Sequence, residues 1–359
     1  MGDAVSTSGA PDAQLSSVQS FDDIIAGLDS RVSAGDLQKF QAIPTGFAEL
    51  DLAISGGLRQ GQLVLLSGRA GIGKTSFTMQ VARNIAAAHQ AVCLFVCYEH
   101  DTDYLAQRLI SMESTDKGDG MLSDGLRLKD IADLVSTRKD HDRDNEGDYF
   151  TAALTSDPRG ARALKRISQY SRELFFIRGT ASTDLDALAS AVKQVRAPGG
   201  PAEGRPVVLF VDYLQKIAAA TSHTQEEARN IEAVEGLKEI ALREGITVVS
   251  IASAQAEGLK ARRLHLEHLL ASADLAYEAD IIITMNEKYD IVDRQHIEFN
   301  RFNANTFHQY VVLSIEKNRM GSDLVDIEMR KQLQFCRFLT DAHRVKEVLI
   351  RSENESISE

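Results

Sequence analysis

The stretch Gly68-Arg69-Ala70-Gly71-Ile72-Gly73-Lys74-Thr75-Ser76 decides the fold of this chain, because of what flanks it. An apolar run at 62–67 precedes it, and an amphipathic segment of helix-forming residues at 76–88 follows it. The order strand, glycine-rich loop and helix matches the Walker A pattern, whose backbone N–H groups cradle phosphate oxygens. A chance glycine-rich turn would not come with this strand and this helix. The stretch therefore predicts a nucleotide-binding loop over residues 68–76.

Lys74 and Thr75 supply the polar side chains that such a loop needs. The Lys74 ammonium can reach the terminal phosphates, and the Thr75 hydroxyl can ligate magnesium. The helix that begins near Lys74 directs the positive end of its dipole toward the same phosphates. ATP and Mg²⁺ are therefore the predicted cofactors.

The composition of the chain excludes several classes of protein. It has 359 residues, of which 43% are hydrophobic and 26% charged, as in ordinary globular proteins. A net charge of −12 argues against a general polyanion binder, so any contact with nucleic acid must come from a local basic surface. No apolar run approaches membrane-spanning length, and the N-terminus lacks a secretory signal pattern.

The three cysteines, Cys93, Cys97 and Cys336, are predicted to be free thiols. Cys93 and Cys97 are four residues apart in an apolar run, so both point to one face of a strand and are expected to be buried. An odd number of cysteines without framework spacing suits a reducing cytoplasm, where we expect the protein to act.

One large domain with polar ends is the predicted organisation. Residues 1–20 are rich in small and polar residues and are expected to form a disordered tail. Residues 21–42 contain a short amphipathic helix, which either packs on its own domain or docks onto a neighbouring subunit. Residues 43–345 form the main domain, with a polar, solvated insertion over 115–148, and 346–359 form a polar tail.

Short apolar strands alternate with helices through the main domain. The predicted strands are 62–67, 91–98, 174–177, 206–211, 246–251, 281–284 and 310–315, with a closing pair at 326–329 and 333–338. The predicted helices are 76–88, 101–108, 126–135, 161–172, 185–195 and 226–243. This alternation, with one phosphate loop, predicts an α/β fold with a mainly parallel central sheet.

Hydrolysis needs a magnesium-holding acid and a group that orients water. Asp212 follows a fully apolar strand, the Walker B setting, although a helix cap after a strand is the alternative. Glu99 also ends a strand and could polarise the attacking water, or be a surface acid beside His100. Gln255, after the strand at 246–251, could sense the γ-phosphate.

Lys317 and Arg319 follow the strand at 310–315 and project to the same side of an extended segment. Such a pair could stabilise the charge on a transferring phosphoryl group, as an arginine finger does. If the pair acts across a subunit interface, the protein works only as an oligomer. The alternative is a solvated basic turn.

Together these motifs make the chain resemble the C-terminal RecA-like motor domain of DnaB-type replicative helicases, of superfamily 4. The motifs that carry the resemblance are Ile43-Pro44-Thr45-Gly46, Leu50-Asp51, Gly56-Gly57-Leu58, the loop 68–75, Tyr98-Glu99, Asp212-Tyr213-Leu214-Gln215 and Lys317-Asn318-Arg319. The resemblance covers residues 21–338, and these motifs occur in the order seen in that family. The form of the last motif also looks like RadA-type recombination ATPases, which share the core.

The resemblance implies a RecA-like P-loop ATPase that forms a hexameric ring around single-stranded DNA. It implies that Lys74 and Thr75 bind phosphate and magnesium, Glu99 is the catalytic base and Asp212 is the Walker B acid. Arg319 would be the finger that reaches a neighbour's ATP, with Lys317 beside it. The helix within 21–42 would be the linker helix that docks on the adjacent subunit.

The chain departs from the family pattern in three places, and these departures leave two hypotheses for its function. The primase-contacting N-terminal domain is not found, the insertion is long and acidic, and 269–273 lack the family's DNA-gripping Arg-Glu-x-Gly element. Lys260, Arg262 and Arg263 could replace it, or be a solvated basic run. The first hypothesis is a DNA helicase or translocase; the second is a ring ATPase that regulates or assembles a protein partner. A GTPase is disfavoured, because Asp212 lacks the glycine expected three residues later.

Overall fold

The computed structural model describes residues 18–116, 124–139, 148–217, 226–269, 272–293 and 305–350. The chain falls into two compact units, Met1–Gln41 and Ala42–Glu359. The expected tails at 1–17 and 351–359, and the acidic end of the insertion at 140–147, lie outside the described residues.

The first unit contains one described helix, α1 (Phe21–Ser33), which a capping box begins. The Ser20 hydroxyl accepts from the backbone N–H of Asp23, and the Asp23 carboxylate accepts from the backbone N–H of Ser20. The helix is shorter than its apolar pattern predicts, because Gly35 takes a left-handed φ of +82° soon after it ends. None of its residues is buried within the chain.

The second unit is built on a twisted sheet of ten strands in the described part of the chain. The strands are β1 (Leu63–Gly68), β2 (Val92–Cys97), β3 (Leu174–Arg178), β4 (Val207–Asp212), β5 (Thr247–Ala252), β6 (Ile281–Glu287), β7 (Tyr310–Asn318), β8 (Val325–Gln332), β9 (Arg337–Phe338) and β10 (His343–Arg344). Their order is β10-β8-β7-β6-β1-β5-β4-β2-β3, with β9 paired to β8. From β6 to β3 every pairing is parallel, and from β6 to β10 every pairing is antiparallel.

Helices connect and cover these strands. In the second unit they are α2 (Ala48–Ala53), α3 (Lys74–Ala87), α4 (Thr102–Ser114), α5 (Leu128–Lys139), α6 (Tyr149–Thr155), α7 (Pro158–Ile167), α8 (Leu185–Arg196), α9 (Glu226–Arg243), α10 (Ala256–Lys260), α11 (Ser272–Glu278) and α12 (Lys288–Ile291). The mainly parallel α/β architecture predicted from the sequence is confirmed. No helix in the described ranges has both the length and the apolar composition needed to cross a bilayer.

Two hydrophobic cores lie on opposite faces of the sheet. Strand β1 contributes to both cores, because its side chains point alternately to the two faces of the sheet. Val64 and Leu66 join one core, and Leu63 and Leu65 join the other. All six residues of β1 are buried, as expected for a central parallel strand. The three cysteines are buried free thiols, as predicted.

The structure corrects the sequence-based prediction in three places. Helix α7 begins earlier than predicted, because Asp157 caps it and Pro158 occupies its first turn. The segment 333–338 is not one strand. It begins with a 3₁₀ turn (Leu333–Phe335) and Cys336, at φ +53°, which separate β8 from β9. Within the insertion, the helix predicted over 126–135 is present but begins and ends later, as α5, and Leu126 and Ile131 join a small third core with Ile110, Leu154 and Ala163.

Candidate nucleotide-binding site

A cleft of about 500 Å³ opens at the carboxyl ends of the parallel strands β1, β2, β4 and β5. Parallel strands bring their carboxyl ends to one sheet edge, where α/β folds place their ligands. The cleft is lined by Gly68, Ala70, Gly71, Gly73, Lys74, Thr75, Ser76, Glu99, His100, Arg108, Asp212, Tyr213, Ile251, Ser253, Ala254, Leu259 and Leu333. Most of the candidate residues therefore meet at one place.

The loop between β1 and α3 requires glycine for two reasons. Gly71 and Gly73 have left-handed φ angles of +78° and +107°. A Cβ atom on Gly73 would also lie 2.8 Å from side-chain carbons of Leu333 and Phe338. The loop is thus held against the segment that follows β8, and the start of α3 lines the cleft, where helix N–H groups can bind an anion.

Lys74 lies at the start of α3 with its ammonium group folded onto the loop. Its Nζ donates to the carbonyl oxygens of Gly68 (2.7 Å) and Arg69 (3.0 Å). Burial lowers the pKa of Lys74, and the negative charges of Asp212 and Glu99 oppose that shift. The cation is therefore held inside the loop and next to acids, where a bound polyphosphate would be.

Asp212 ends β4 at the floor of the cleft and is only 2% exposed. Burial raises the pKa of the Asp212 carboxyl, whereas a hydrogen bond with the Thr75 side chain and the charges of His100 and Lys74 lower it. The carboxylate and the hydroxyl thus lie side by side as oxygen ligands. No group of three His, Cys, Asp or Glu side chains that could hold a metal ion occurs in the described ranges.

Glu99 is exposed at the end of β2 and lines the cleft. Its neighbour Tyr98 fixes the strand end: the Tyr98 N–H donates to the Asp212 carbonyl (2.8 Å) and its hydroxyl to the Thr183 carbonyl (3.1 Å). Burial raises the pKa of Tyr98 to about 12 and that of Cys97 to about 11, so both stay neutral. Glu99 is thus a carboxylate that the structure places in the cleft, opposite the phosphate loop.

Three candidate side chains point elsewhere. The Gln255 amide donates to the Leu269 carbonyl (3.0 Å), and Gln255 does not line the cleft. The Arg69 guanidinium forms an ion pair with Asp290 (2.9 Å) and also donates to the Ala261 carbonyl. Ile72 is 2% exposed and packs in the core. Arg69 and Ile72 therefore contribute to the loop by their backbone.

Lys317 and Arg319 also lie outside the cleft. Lys317 Nζ donates to the carbonyls of Ala276 and Ala279, at the end of α11. Arg319 donates from its backbone N–H to the Asp280 carbonyl (3.0 Å) and from Nη1 to the Asp280 carboxylate (3.4 Å). The pair does not reach its own chain's nucleotide site.

Among the cleft residues that sequence reasoning missed, Arg108 is the cation. It lies on α4, stacks on the Tyr104 ring (4.9 Å from the guanidinium carbon to the ring centre), and lines the cleft beside Glu99. Its Nε is buried without a hydrogen-bond partner among the described residues. The sequence does contain a signal for Arg108. Asp101 caps a helix shortly after Glu99, and Arg108 lies about two turns into that helix, so its side chain can return to the sheet edge.

Comparison with known proteins agrees with this geometry. The family model for the DnaB-like helicase C-terminal domain matches residues 42–340. The chain is 24% identical over 274 residues to the "Probable replicative DNA helicase" of Trieres chinensis, covering 76% of this chain and 52% of that protein. It is 25% identical over 321 residues to the "Replicative DNA helicase DnaB" of Rickettsia bellii, covering 83% and 57%. It thus spans about half the length of the curated relatives it matches.

Two solved structures share the fold. An isolated ATPase domain superposes with a TM-score of 0.66 and 19% identity, covering 90% of this chain and 99% of that one. A structure described as a DnaB-like replicative helicase and its interactions with primase superposes with a TM-score of 0.63 and 19% identity, covering 90% and 67%. Because the family model covers most of its length, the chain belongs to the family of DnaB-like helicase C-terminal domains.

Proposed function

We propose that this chain is the ATP-hydrolysing motor domain of a ring helicase or translocase that acts on single-stranded DNA. The observation that supports this most is the joint placement of Lys74, Thr75, Asp212 and Glu99 around one cleft. The reducing cytoplasm is the proposed compartment, which suits three buried thiols.

Each of these residues has a chemical role in the proposed hydrolysis. Lys74 would leave the loop carbonyls to bind the terminal phosphates, and Thr75 and Asp212 would hold Mg²⁺. When bound, the metal would neutralise charge on the phosphate oxygens. Glu99 accepts a hydrogen bond from the attacking water and orients it, and Arg108 contributes a second cation from α4.

The proposed ring follows from the position of Arg319. Because this side chain lies outside its own cleft, bound at Asp280, it acts on a nucleotide only if that nucleotide belongs to another subunit. We expect Arg319→Ala to keep ATP binding and abolish turnover. Activity regained by mixing that variant with Glu99→Gln subunits supports action in trans; mixtures without activity contradict it.

A second function, that of a ring ATPase acting on a protein partner, is favoured by one observation. Of the three cations considered as a replacement DNA contact, Arg263 is only 9% exposed and donates to Asp326 (2.6 Å) and Ser314 (3.1 Å). Arg262 donates to the Asp290 carbonyl (3.1 Å). Two of the three are therefore engaged within the fold, and the chain carries a net charge of −12.

Steady-state ATP hydrolysis with and without single-stranded DNA separates the two functions. Lys74→Ala is the control and is expected to abolish turnover, because it removes the cation at the terminal phosphates. Strong stimulation by DNA, with a steep salt dependence, supports the DNA motor. Turnover that ignores DNA contradicts the motor and supports the protein-directed ring. Turnover by Lys74→Ala equal to that of the wild type refutes the ATPase itself.

A further inference from the structure

A second cavity, of about 530 Å³, lies beside the C-terminal half of α3 and shares no lining residue with the nucleotide cleft. Its walls come from α3, the end of α4, α7 and the segment after β9. Arg83 follows Lys74 by nine residues on α3, so at 1.5 Å per residue the two sites are roughly 14 Å apart along the helix. We call this second site the arginine cavity, after its lining residues Arg83, Arg166 and Arg337.

Only Arg83 has its charge balanced by a carboxylate. Its Nε and Nη2 donate to the two oxygens of Glu113, the second at 2.8 Å. Glu113 is 1% exposed and accepts a further hydrogen bond from the Tyr170 hydroxyl (2.6 Å). Both carboxylate oxygens thus accept hydrogen bonds from Arg83 and Tyr170, and neither of the other two guanidinium groups of the cavity donates to them.

Arg166 and Arg337 have neutral partners only. Arg166 Nη1 donates to the carbonyl oxygens of Glu113 (2.8 Å) and Thr115 (2.6 Å). Arg337 Nη1 donates to the Thr115 hydroxyl. Neither arginine forms an ion pair with a carboxylate anywhere in the part of the chain that is described.

The positive charges of the cavity lie close enough together to change the pKa of Arg337. Burial lowers the pKa of Arg337 first, and the positive charges of Arg83 and Arg166 lower it further, whereas the negative charge of Glu113 raises it. Half-buried charges in proteins are normally paired, because removing them from water without a counter-ion is unfavourable. The other carboxylate that lines the cavity, Asp341, is exposed at its edge. Among the described residues, the cavity therefore has three guanidinium groups against two carboxylates, and one of those carboxylates lies exposed at its edge.

We propose that the arginine cavity binds the phosphate groups of a small molecule, at a site separate from the nucleotide cleft. The guanidinium groups of Arg166 and Arg337 keep N–H groups for which no acceptor is seen among the described residues, and planar guanidinium groups match phosphate oxygens in pairs. The volume is close to the 500 Å³ of the nucleotide cleft, so the cavity has room for more than a single phosphate. Met112 and Leu339 offer an apolar wall to the rest of such a ligand.

The test is a titration of the full-length Lys74→Ala variant, in which the nucleotide cleft is disabled, with three probes: inorganic phosphate, pyrophosphate and ADP. We expect one pyrophosphate to bind per chain, and Arg337→Gln on the same background to weaken it at least tenfold. Arg344→Gln is the matched control, since Arg344 is an exposed arginine on β10 outside the cavity. It should leave the affinity unchanged.

The three probes also identify the source of the phosphate. Tighter binding of ADP than of pyrophosphate assigns the site to a nucleotide; equal binding of phosphate and pyrophosphate assigns it to the free ion. Should Arg337→Gln fail to fold by circular dichroism, Arg166→Gln replaces it. No pyrophosphate binding at millimolar concentration, or binding that both cavity substitutions leave intact, overturns the proposal. The outcome is independent of whether the chain acts on DNA.

Discussion

Replacing Asp280 by asparagine should misplace the Arg319 side chain. The substitution changes neither Arg319 itself nor any residue that lines the nucleotide cleft. Asp280 is 8% exposed and connects three elements. Its Oδ2 accepts from the backbone N–H of Leu63 (2.7 Å) and from Lys238 Nζ (2.7 Å), while its Oδ1 accepts from Arg319. Asparagine has the same shape but removes the negative charge that holds the guanidinium, and it also weakens the ion pair with Lys238 (2.7 Å), so circular dichroism must first show that the variant folds.

The size of the effect follows from geometry. An arginine finger contributes about 10³–10⁵ in turnover, and a misplacement of about 1 Å costs roughly 10²-fold. We expect Asp280→Asn to lower kcat by about 100-fold with KM for ATP within twofold. Glu278→Gln is the matched control, since it removes a nearby acid that makes no hydrogen bond to Arg319, and it should turn over like the wild type.

Mixed rings provide the decisive assay. Asp280→Asn subunits keep an intact nucleotide cleft, and Glu99→Gln subunits keep an intact finger, so an interface between the two is complete. Mixing should restore hydrolysis that neither variant shows alone. Adding Asp280→Asn to Arg319→Ala should cause no further loss. A mixture that stays inactive, or a double variant slower than Arg319→Ala, would refute the reasoning, because Asp280 would then act through its own subunit's cleft.

Three other predictions concern stability. Gly73→Ala should lower the free energy of unfolding by about 2–5 kcal/mol in urea titration, because the new Cβ meets Leu333 at a left-handed φ; an unchanged midpoint contradicts this. Asp212→Asn should abolish turnover yet raise the Tm of the nucleotide-free protein at pH 7. Burial raises the pKa of the Asp212 carboxyl in the folded protein above its ordinary value of 3.8, so the charged carboxylate destabilises the fold above that folded pKa. Asparagine removes this cost, and its stabilising effect should disappear at low pH, where Asp212 is protonated. A Tm at pH 7 below that of the wild type would contradict this prediction. Arg263→Ala should destabilise the fold by about 3–5 kcal/mol, because it leaves Asp326 without its buried partner. If it instead changes only the salt dependence of DNA binding, Arg263 is a DNA contact.

The backbone of the site was predictable from the sequence, because local patterns determine it. Gly71, Gly73 and Lys74 follow one strand and begin one helix, and a motif of that kind forms by short-range geometry. Asp212 and Glu99 were found by the same logic, since each directly ends an apolar strand. Both residues line the cleft, although their catalytic roles remain predictions.

The destinations of long side chains were not predictable. Arg69 turns from the loop to Asp290, 221 positions away, and Gln255 bonds to Leu269. Such partners depend on how the β6–β7 region packs beside β1, which no local pattern contains. The helix within the insertion was predicted from its apolar spacing, but its packing partners were not, because the apolar residues that bury Leu126 and Ile131 lie on α4, α6 and α7.

The position of β1 has a consequence for synthesis on the ribosome. This strand, which leads into the phosphate loop, pairs only with β5 and β6. Leu63 bonds to Asp280, which is made 217 residues later. At about 5–20 residues per second, β1 must wait on the order of 10–40 s for its partners. During that time six residues that end up fully buried have no sheet to join, so nascent chains that stop before β6 lack a formed nucleotide site and expose an aggregation-prone strand.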